Sequence, residues 1–202
     1  MIQIEDEIKL GPNVKVDFLS EIDELVDFAK VCTSFANNLG GSVFLGVNEK
    51  GKILGINPDS ELKLISQVKD VIVGDLLFES ITHIIKHHCI IEVKIQKAKI
   101  PLLVRLIEGS SVYYFRVDSK TLLANKIIER YLNLKRFGKK VVETSIHNDF
   151  LNKLGDDSKN LSRLYKMMEL KPKDIDGLTA DLLFLKKLKV CFIDEKFYFK
   201  RI

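Results

Sequence analysis

At 202 residues, with 46% hydrophobic and 30% charged side chains, the chain is globular in composition and has room for one large domain or for one ordinary domain and a small appendage. Such a balance excludes intrinsic disorder, and no apolar run reaches the length of a membrane span. The net charge of +4 hides an asymmetry: residues 1–100 hold 11 basic against 15 acidic side chains and residues 101–202 hold 21 against 13, so a polyanion is drawn to the second half.

The opening Met-Ile-Gln-Ile-Glu-Asp-Glu lacks the basic start and apolar centre of a secretory signal. Val14 to Leu19 alternates apolar and polar positions as a half-buried strand does. Ser20, with Asp23 three residues on, has the spacing of a capping box and opens the clearest helix, whose stripe runs through Ile22, Leu25, Val26, Ala29, Cys32, Ala36 and Leu39 to a stop at Gly40-Gly41. Ser42–Val47 is a buried strand, Asn48–Gly51 a tight turn and Lys52–Ile56 the return. Residues 59–75 have helical spacing, His83–Val117 holds several strands with a turn at Glu108–Ser111, and Thr121–Phe137 is helical again. These elements predict a mixed-sheet α/β (α+β) domain over residues 1–137. Residues 138–160 lose the apolar rhythm and are assigned as a linker. Beyond it, helical segments around Leu161–Leu170, Pro172–Ile175 and Leu178–Lys189 precede strands Val190–Ile193 and Lys196–Lys200, the order of a winged helix, which predicts a small winged-helix-like domain over 161–202.

Two separated motifs point further. Phe35-Ala36-Asn37-Asn38-Leu39-Gly40-Gly41, continuing through Gly46-Val47 to Gly55-Ile56, closely resembles the signature of the Schlafen AlbA_2 family, and Tyr113–Thr121 resembles that family's Y-h-R-h-G-S-x-T strand. The resemblance implies an AlbA_2 scaffold over about residues 12–137. In Schlafen-like ribonucleases three acidic residues bind a divalent metal that activates RNA cleavage. Carried over, those positions fall on Pro12, Asp17 and Asn48, with Leu19 where the family has lysine, so only Asp17 keeps a carboxylate; Glu49 or Asp6 are the nearest substitutes. The glycines close a helix instead of opening one, which is the wrong arrangement for a phosphate loop.

Other clusters are weaker. His83, His87, His88 and Cys89 alone suggest zinc, but strand alternation turns His88 away from its neighbours and no second ligand pair exists, so ordinary strand and turn residues are expected and no metal site is assigned. His147 stands alone. Cys32, Cys89 and Cys191 are widely spaced in apolar surroundings, which predicts reduced thiols and a cytoplasmic protein. Arg105, Arg116, Lys120, Lys126, Arg130, Lys135 and Arg136 form a basic series, and Lys186, Lys187, Lys189, Lys196 and Lys200 a second one in the tail. Of these, Arg105, Arg116, Lys120, Lys126, Arg130, Lys186, Lys187, Lys196 and Lys200 are the candidate nucleic-acid contacts. One of Tyr113 and Tyr114 is expected in the core, the other exposed for stacking. Against DNA reading by the tail, Asp174, Asp176 and Asp181 lie near its groove-facing end, while Leu183 and Phe184 widen the apolar face enough to suggest docking.

The leading expectation is a nucleic-acid-binding, transcriptional-regulator-like protein with DNA or structured RNA as partner, no membrane and no cofactor. The alternatives are a degenerate metal-dependent endoribonuclease, the one case requiring a divalent metal, and a protein-interaction or oligomerisation module in which Leu183 and Phe184 dock on the first domain or on a second subunit, a homodimer being one such assembly.

Overall fold

A computed structural model of the chain describes residues 4–168 and 170–202, and its backbone falls into two compact units, Met1–Leu123 and Ala124–Ile202.

The first unit runs α1 (Ile4–Leu10), β1 (Val16–Leu19), α2 (Leu25–Asn37), β2 (Gly41–Leu45), α3 (Pro58–Gln67), a single 3-10 turn (Val68–Val71), β3 (Ile72–Val73), β4 (Phe78–Ile85), β5 (His88–Ile95), β6 (Leu103–Arg105), β7 (Ser111–Val112), β8 (Tyr114–Val117) and β9 (Lys120–Leu123). Its main sheet has the order β1-β2-β5-β4, parallel between β1 and β2 and antiparallel elsewhere. Helix α2 packs against this sheet on one side and against β6 and β8 on the other. That double burial explains its composition: Phe28, Ala29, Cys32, Phe35 and Ala36 make one apolar face, and Thr33, Ser34 and Asn37 are buried away from that face, where the two hydroxyls bond back to the helix, Thr33 to the Ala29 carbonyl and Ser34 to that of Val31. A second, smaller core of Ile8, Val16, Phe18, Phe44, Val47, Ile85 and Ile90 fills the opposite face of the sheet.

The structure corrects the start of this helix. Ser20 does not cap it; residues 20–24 are irregular, α2 begins at Leu25, and the Ile22 amide donates instead to the buried Glu61 carboxylate at 3.1 Å. Desolvation raises the carboxyl pKa of Glu61, and the bond from the Ile22 amide opposes that rise. The stop is as expected. Gly40 has φ +69, and a Cβ there would lie 2.6 Å from the Ile95 carbonyl oxygen, so only glycine lets the helix end against β5. Gly46 (φ +88) lies just past β2, and its carbonyl accepts the Leu54 and Gly55 amides, so it marks a bend where another backbone approaches.

The second unit contains α4 (Lys126–Arg136), α5 (Ser145–Leu154), β10 (Lys159–Asn160), α6 (Leu161–Met167), α7 (Pro172–Phe184), β11 (Leu188–Ile193) and β12 (Lys196–Arg201), with the small sheet ordered β10-β12-β11. The expected boundaries at 137 and 160 are both displaced. Thr121 belongs to β9, and Asn125 caps α4, accepting the amides of Ile127 and Ile128, so the helix belongs with the second unit, where it packs on α7. Residues 138–160 are no linker. They hold α5, capped by a box in which the Thr144 amide donates to His147 Nδ1, and they bury Phe150, Leu151 and Leu154. The two helical segments expected on either side of Gly177 are one helix, and the Arg130 guanidinium occupies the space over that glycine, about 3.4 Å from where a Cβ would stand. No helix among the described residues is long and apolar enough to cross a membrane.

Candidate functional site: a buried motif junction and a basic hairpin

The two sequence motifs meet. Asn37, at the end of α2, donates through Nδ2 to the carbonyls of Leu102 and Tyr114, both at 2.9 Å, and accepts the Leu102 amide at 2.7 Å. Asn38 donates to the Arg116 carbonyl at 2.8 Å, and the hydroxyls of Ser34 and Thr121 lie 2.9 Å apart. Arg116 is fully buried. Its guanidinium is ion-paired with Asp17 at 2.5 Å, donates to the carbonyls of Asn13 (2.9 Å) and Val16 (3.0 Å) and to the Thr121 hydroxyl (3.3 Å), and lies 4.3 Å from the centre of the Phe35 ring. A buried cation needs this many acceptors to offset its desolvation, and the planar fork of arginine can reach them all at once.

This overturns the expectation that Arg116 is a surface contact. Arg116 is not a surface residue and has no N–H directed to solvent for a phosphate. Asp17, the one carboxylate kept from the family's acidic set, is held by Arg116. The other two positions have separate duties as well: the Asn48 side chain accepts the amides of Lys50 and Lys52 and so builds the turn after β2, and Glu49 is exposed within that turn. Pro12 and Asp6 lie in the N-terminal segment, where Asp6 pairs with Lys9. Among the described residues no three His, Cys, Asp or Glu side chains come together as a metal site would require.

One departure from the family's motif has a conformational signature. Asp118 stands where the pattern has glycine, in the two-residue turn between β8 and β9, and has φ +53. Asp118→Gly is expected to raise stability by about 0.5–1 kcal/mol, because glycine reaches the left-handed region without the Cβ clash. Thermal unfolding checks this; a lowered midpoint would mean the Asp118 side chain holds the turn.

The histidines follow their ordinary reading. His83 Nε2 lies 3.1 Å from Glu92, which also accepts from Ser42 at 2.7 Å; His87, at φ +69, turns the chain between β4 and β5; His88 packs over Gly55. His147 is buried, with Nε2 3.7 Å from Asp181. Tyr113 is buried and Tyr114 half-buried, with Lys30 Nζ 5.8 Å from its ring centre. The cysteines are free, and burial pushes the Cys32 thiol pKa up.

The basic candidates divide between the units. In the first, Arg105 is exposed and donates to the Asp70 carbonyl at 3.1 Å, and Lys120 is exposed beside the β8–β9 turn. In the second, Lys126 is exposed on α4, Arg130 lies 3.9 Å from Asp181, and Lys187 lies 3.4 Å from Glu143, next to exposed Lys186. The exposed part of α7 is mixed in charge: Lys173 and Asp174 stand at its start, and Tyr165 donates to Asp176 at 2.5 Å, an arrangement that pushes the phenol pKa up to about 12, through burial and then the aspartate. Leu183 is buried in the core of its own unit and Phe184 is half-buried against it, so the expected docking pair is not an exposed patch.

The tail lysines gather on the β11–β12 hairpin. Its register places Lys189 opposite Lys200, Cys191 opposite Tyr198 and Ile193 opposite Lys196 on one face, while Leu188, Val190 and the fully buried Phe199 lie on the other. Lys189, Lys196 and Lys200 are all exposed. Tyr198, between two of these lysines, was not among the candidates; the alternation Lys196-Phe197-Tyr198-Phe199-Lys200 is the signal that places it with them.

An α+β unit whose two motifs interlock through Arg116, Asn37 and Asn38 is a scaffold. Residues 13–125, more than half the chain, match the family model described as Schlafen, AlbA_2, and the chain belongs to that family. Membership gives it a nucleic-acid-related association. No curated protein matches the chain. Among solved structures it is similar to the DIP2311 protein from Corynebacterium diphtheriae, at 13% identity and a TM-score of 0.48; the match covers 88% of this chain and 41% of that one.

Proposed function

We propose that the protein is a nucleic-acid-binding, transcriptional-regulator-like protein whose second unit is winged-helix-like and contacts phosphate through its hairpin. The order helix, strand, two helices and two strands from α5 to β12 supports the winged-helix reading. The carrying observation is the hairpin face. Lys189 and Lys200 stand directly opposite each other, a pairing that disfavours a sheet, Lys196 extends the same strip, and none of the three has an ion pair among the described residues. A phosphate backbone relieves that repulsion, and Tyr198 beside it offers an aromatic surface to a base or sugar.

Helix α7 has a supporting part. Its Asp174, Asp176 and Asp181 repel phosphate, and α4 packs along it. The nuclease alternative loses its carriers, since Asp17 is bound to Arg116 and Asn48 to its own turn.

Titrating duplex DNA and structured RNA across a salt series tests the reading. Binding is expected at low salt, with log K falling linearly against log salt. Replacing Lys189, Lys196 and Lys200 by alanine is expected to make the slope shallower by about 0.9 for each duplex phosphate that is no longer neutralised. No binding at low salt, or an unchanged slope in the triple variant, overturns the proposal.

A further inference from the structure

We propose that the outer edge of β4 pairs antiparallel with β4 of a second copy of this chain, about a two-fold axis through Ile81, so that two four-stranded sheets become one of eight strands.

The two edges of the main sheet are built differently. At β1 the edge is short, four residues, and closed: the Val16 carbonyl accepts both the Asn13 amide at 2.9 Å and the Arg116 guanidinium at 3.0 Å. At β4 it is long and open. The strand pairs with β5 residue for residue over all eight positions from Phe78 to Ile85, with no bulge, and among the described residues its backbone has no partner on the other side. Ser80 and Thr82 are exposed and Ile84 is 75% exposed. Edge strands are normally protected by proline, by charged side chains and lysine above all, by a bulge or by brevity, because their free N–H and C=O groups recruit other strands. Phe-Glu-Ser-Ile-Thr-His-Ile-Ile has no proline, lysine or bulge and is eight residues long; its one charged carboxylate, Glu79, has His83 opposite it in the pairing centred on Ile81.

The sequence of the strand selects the occupant. Opposed residues of an antiparallel pair share a face, so a two-fold axis normal to the sheet must pass through a residue. Centred on Ile81, the strand is self-complementary: Phe78 meets Ile84, Glu79 meets His83, Ser80 meets Thr82 and Ile81 meets itself, and each unlike pair occurs twice. Apolar then faces apolar, hydroxyl faces hydroxyl, and an acid faces the one basic residue of the strand. The neighbouring registers fail. Centred on Thr82, Glu79 meets Ile85, Ser80 meets Ile84 and Ile81 meets His83; centred on Ser80, Glu79 meets Ile81 and Phe78 meets Thr82. This surface lies wholly in the first unit and does not depend on the nucleic-acid reading.

Sedimentation velocity of the full chain across the micromolar range is expected to show a monomer–dimer equilibrium. Lysines at two exposed edge positions, Thr82→Lys with Ile84→Lys, are expected to raise the dissociation constant by about tenfold or more, since charge on an edge opposes pairing. A monomer throughout the range, or an unchanged constant in a lysine variant with native circular dichroism, overturns the proposal. Should the lysine variant misfold, a cysteine test decides: in a Cys89→Ser, Cys191→Ser background, Ile81→Cys is expected to cross-link to itself on mild oxidation, and Leu54→Cys, exposed elsewhere on the unit, is not. Equal cross-linking at both positions, or none at Ile81→Cys, overturns it.

Discussion

Arg116→Met is expected to cost the first unit about 3–4 kcal/mol, read as a lower urea midpoint at unchanged slope. Methionine fills much of the same volume but makes no hydrogen bonds, so the loss comes from the groups left behind: the Asp17 carboxylate without its cation, and an Asn13 carbonyl stripped of its donors. Asp17 keeps partial access to water and Val16 retains the Asn13 amide, which limits the effect to the lower part of the range for broken buried pairs. Arg116→Lys is expected to recover only part, because one ammonium cannot reach Asp17, two carbonyls and the Thr121 hydroxyl together. The diagnostic outcome lies in the double variant. Asp17→Asn with Arg116→Met removes the orphaned charge along with its partner, so it should be more stable than Arg116→Met alone, with a coupling energy of about 1–3 kcal/mol in the double-mutant cycle. Additive losses would mean that the pair is held apart in solution and that Asp17 is free for other chemistry, a metal ion included.

The sequence carried the scaffold further than the site, and particular residues show why. The helix from Leu25 and its glycine stop were legible because both follow local rules, apolar spacing and a left-handed turn. Ser20 misled because a capping pattern is local too, whereas the groups that hold residues 20–24 come from Glu61, some forty positions away. Arg116 misled for the same reason in reverse. An arginine in a basic series reads as surface charge, and nothing near it in sequence announces that Asn13, Val16 and Asp17 will surround it. The helix within 145–154 was hidden among polar residues; its apolar positions Phe150, Leu151 and Leu154 are few, and the N3 partner of Thr144 in its capping box is a histidine, outside the usual Glu or Gln pattern. On the hairpin the register did what composition could not, sorting one run of lysines into a face.

Asn37→Asp is expected to be as damaging as the loss of Arg116, and in a way that depends on pH. The Asn37 amide nitrogen donates to two carbonyl oxygens at once and its oxygen accepts the Leu102 amide, with the side chain almost wholly buried. The substitution is nearly isosteric, but at neutral pH it aims a carboxylate oxygen at two carbonyl oxygens in a place without solvent. Desolvation and that repulsion both raise the pKa of the new carboxyl in the folded state above its unfolded value of about 3.9. The sign follows: with the folded pKa the higher one, the folded state binds the proton more tightly. The variant is therefore least impaired below the unfolded pKa and loses up to about 1.4 kcal/mol per pH unit as pH rises from there to the folded pKa. Protonated, the new carboxyl can still donate to one carbonyl and accept from Leu102, so the deficit against the unsubstituted protein at pH 3.5 should be about 1 kcal/mol, the worth of one hydrogen bond. At pH 7 it should reach about 3–5 kcal/mol, in the range for a buried, unpaired charge. Because the protein's other carboxyls also titrate, the quantity to follow is the difference in unfolding free energy between the two proteins across that interval. A difference that stays flat with pH would show that the new carboxyl is hydrated, and that Asn37 does not join the helix to Leu102 and Tyr114 in the way the geometry requires.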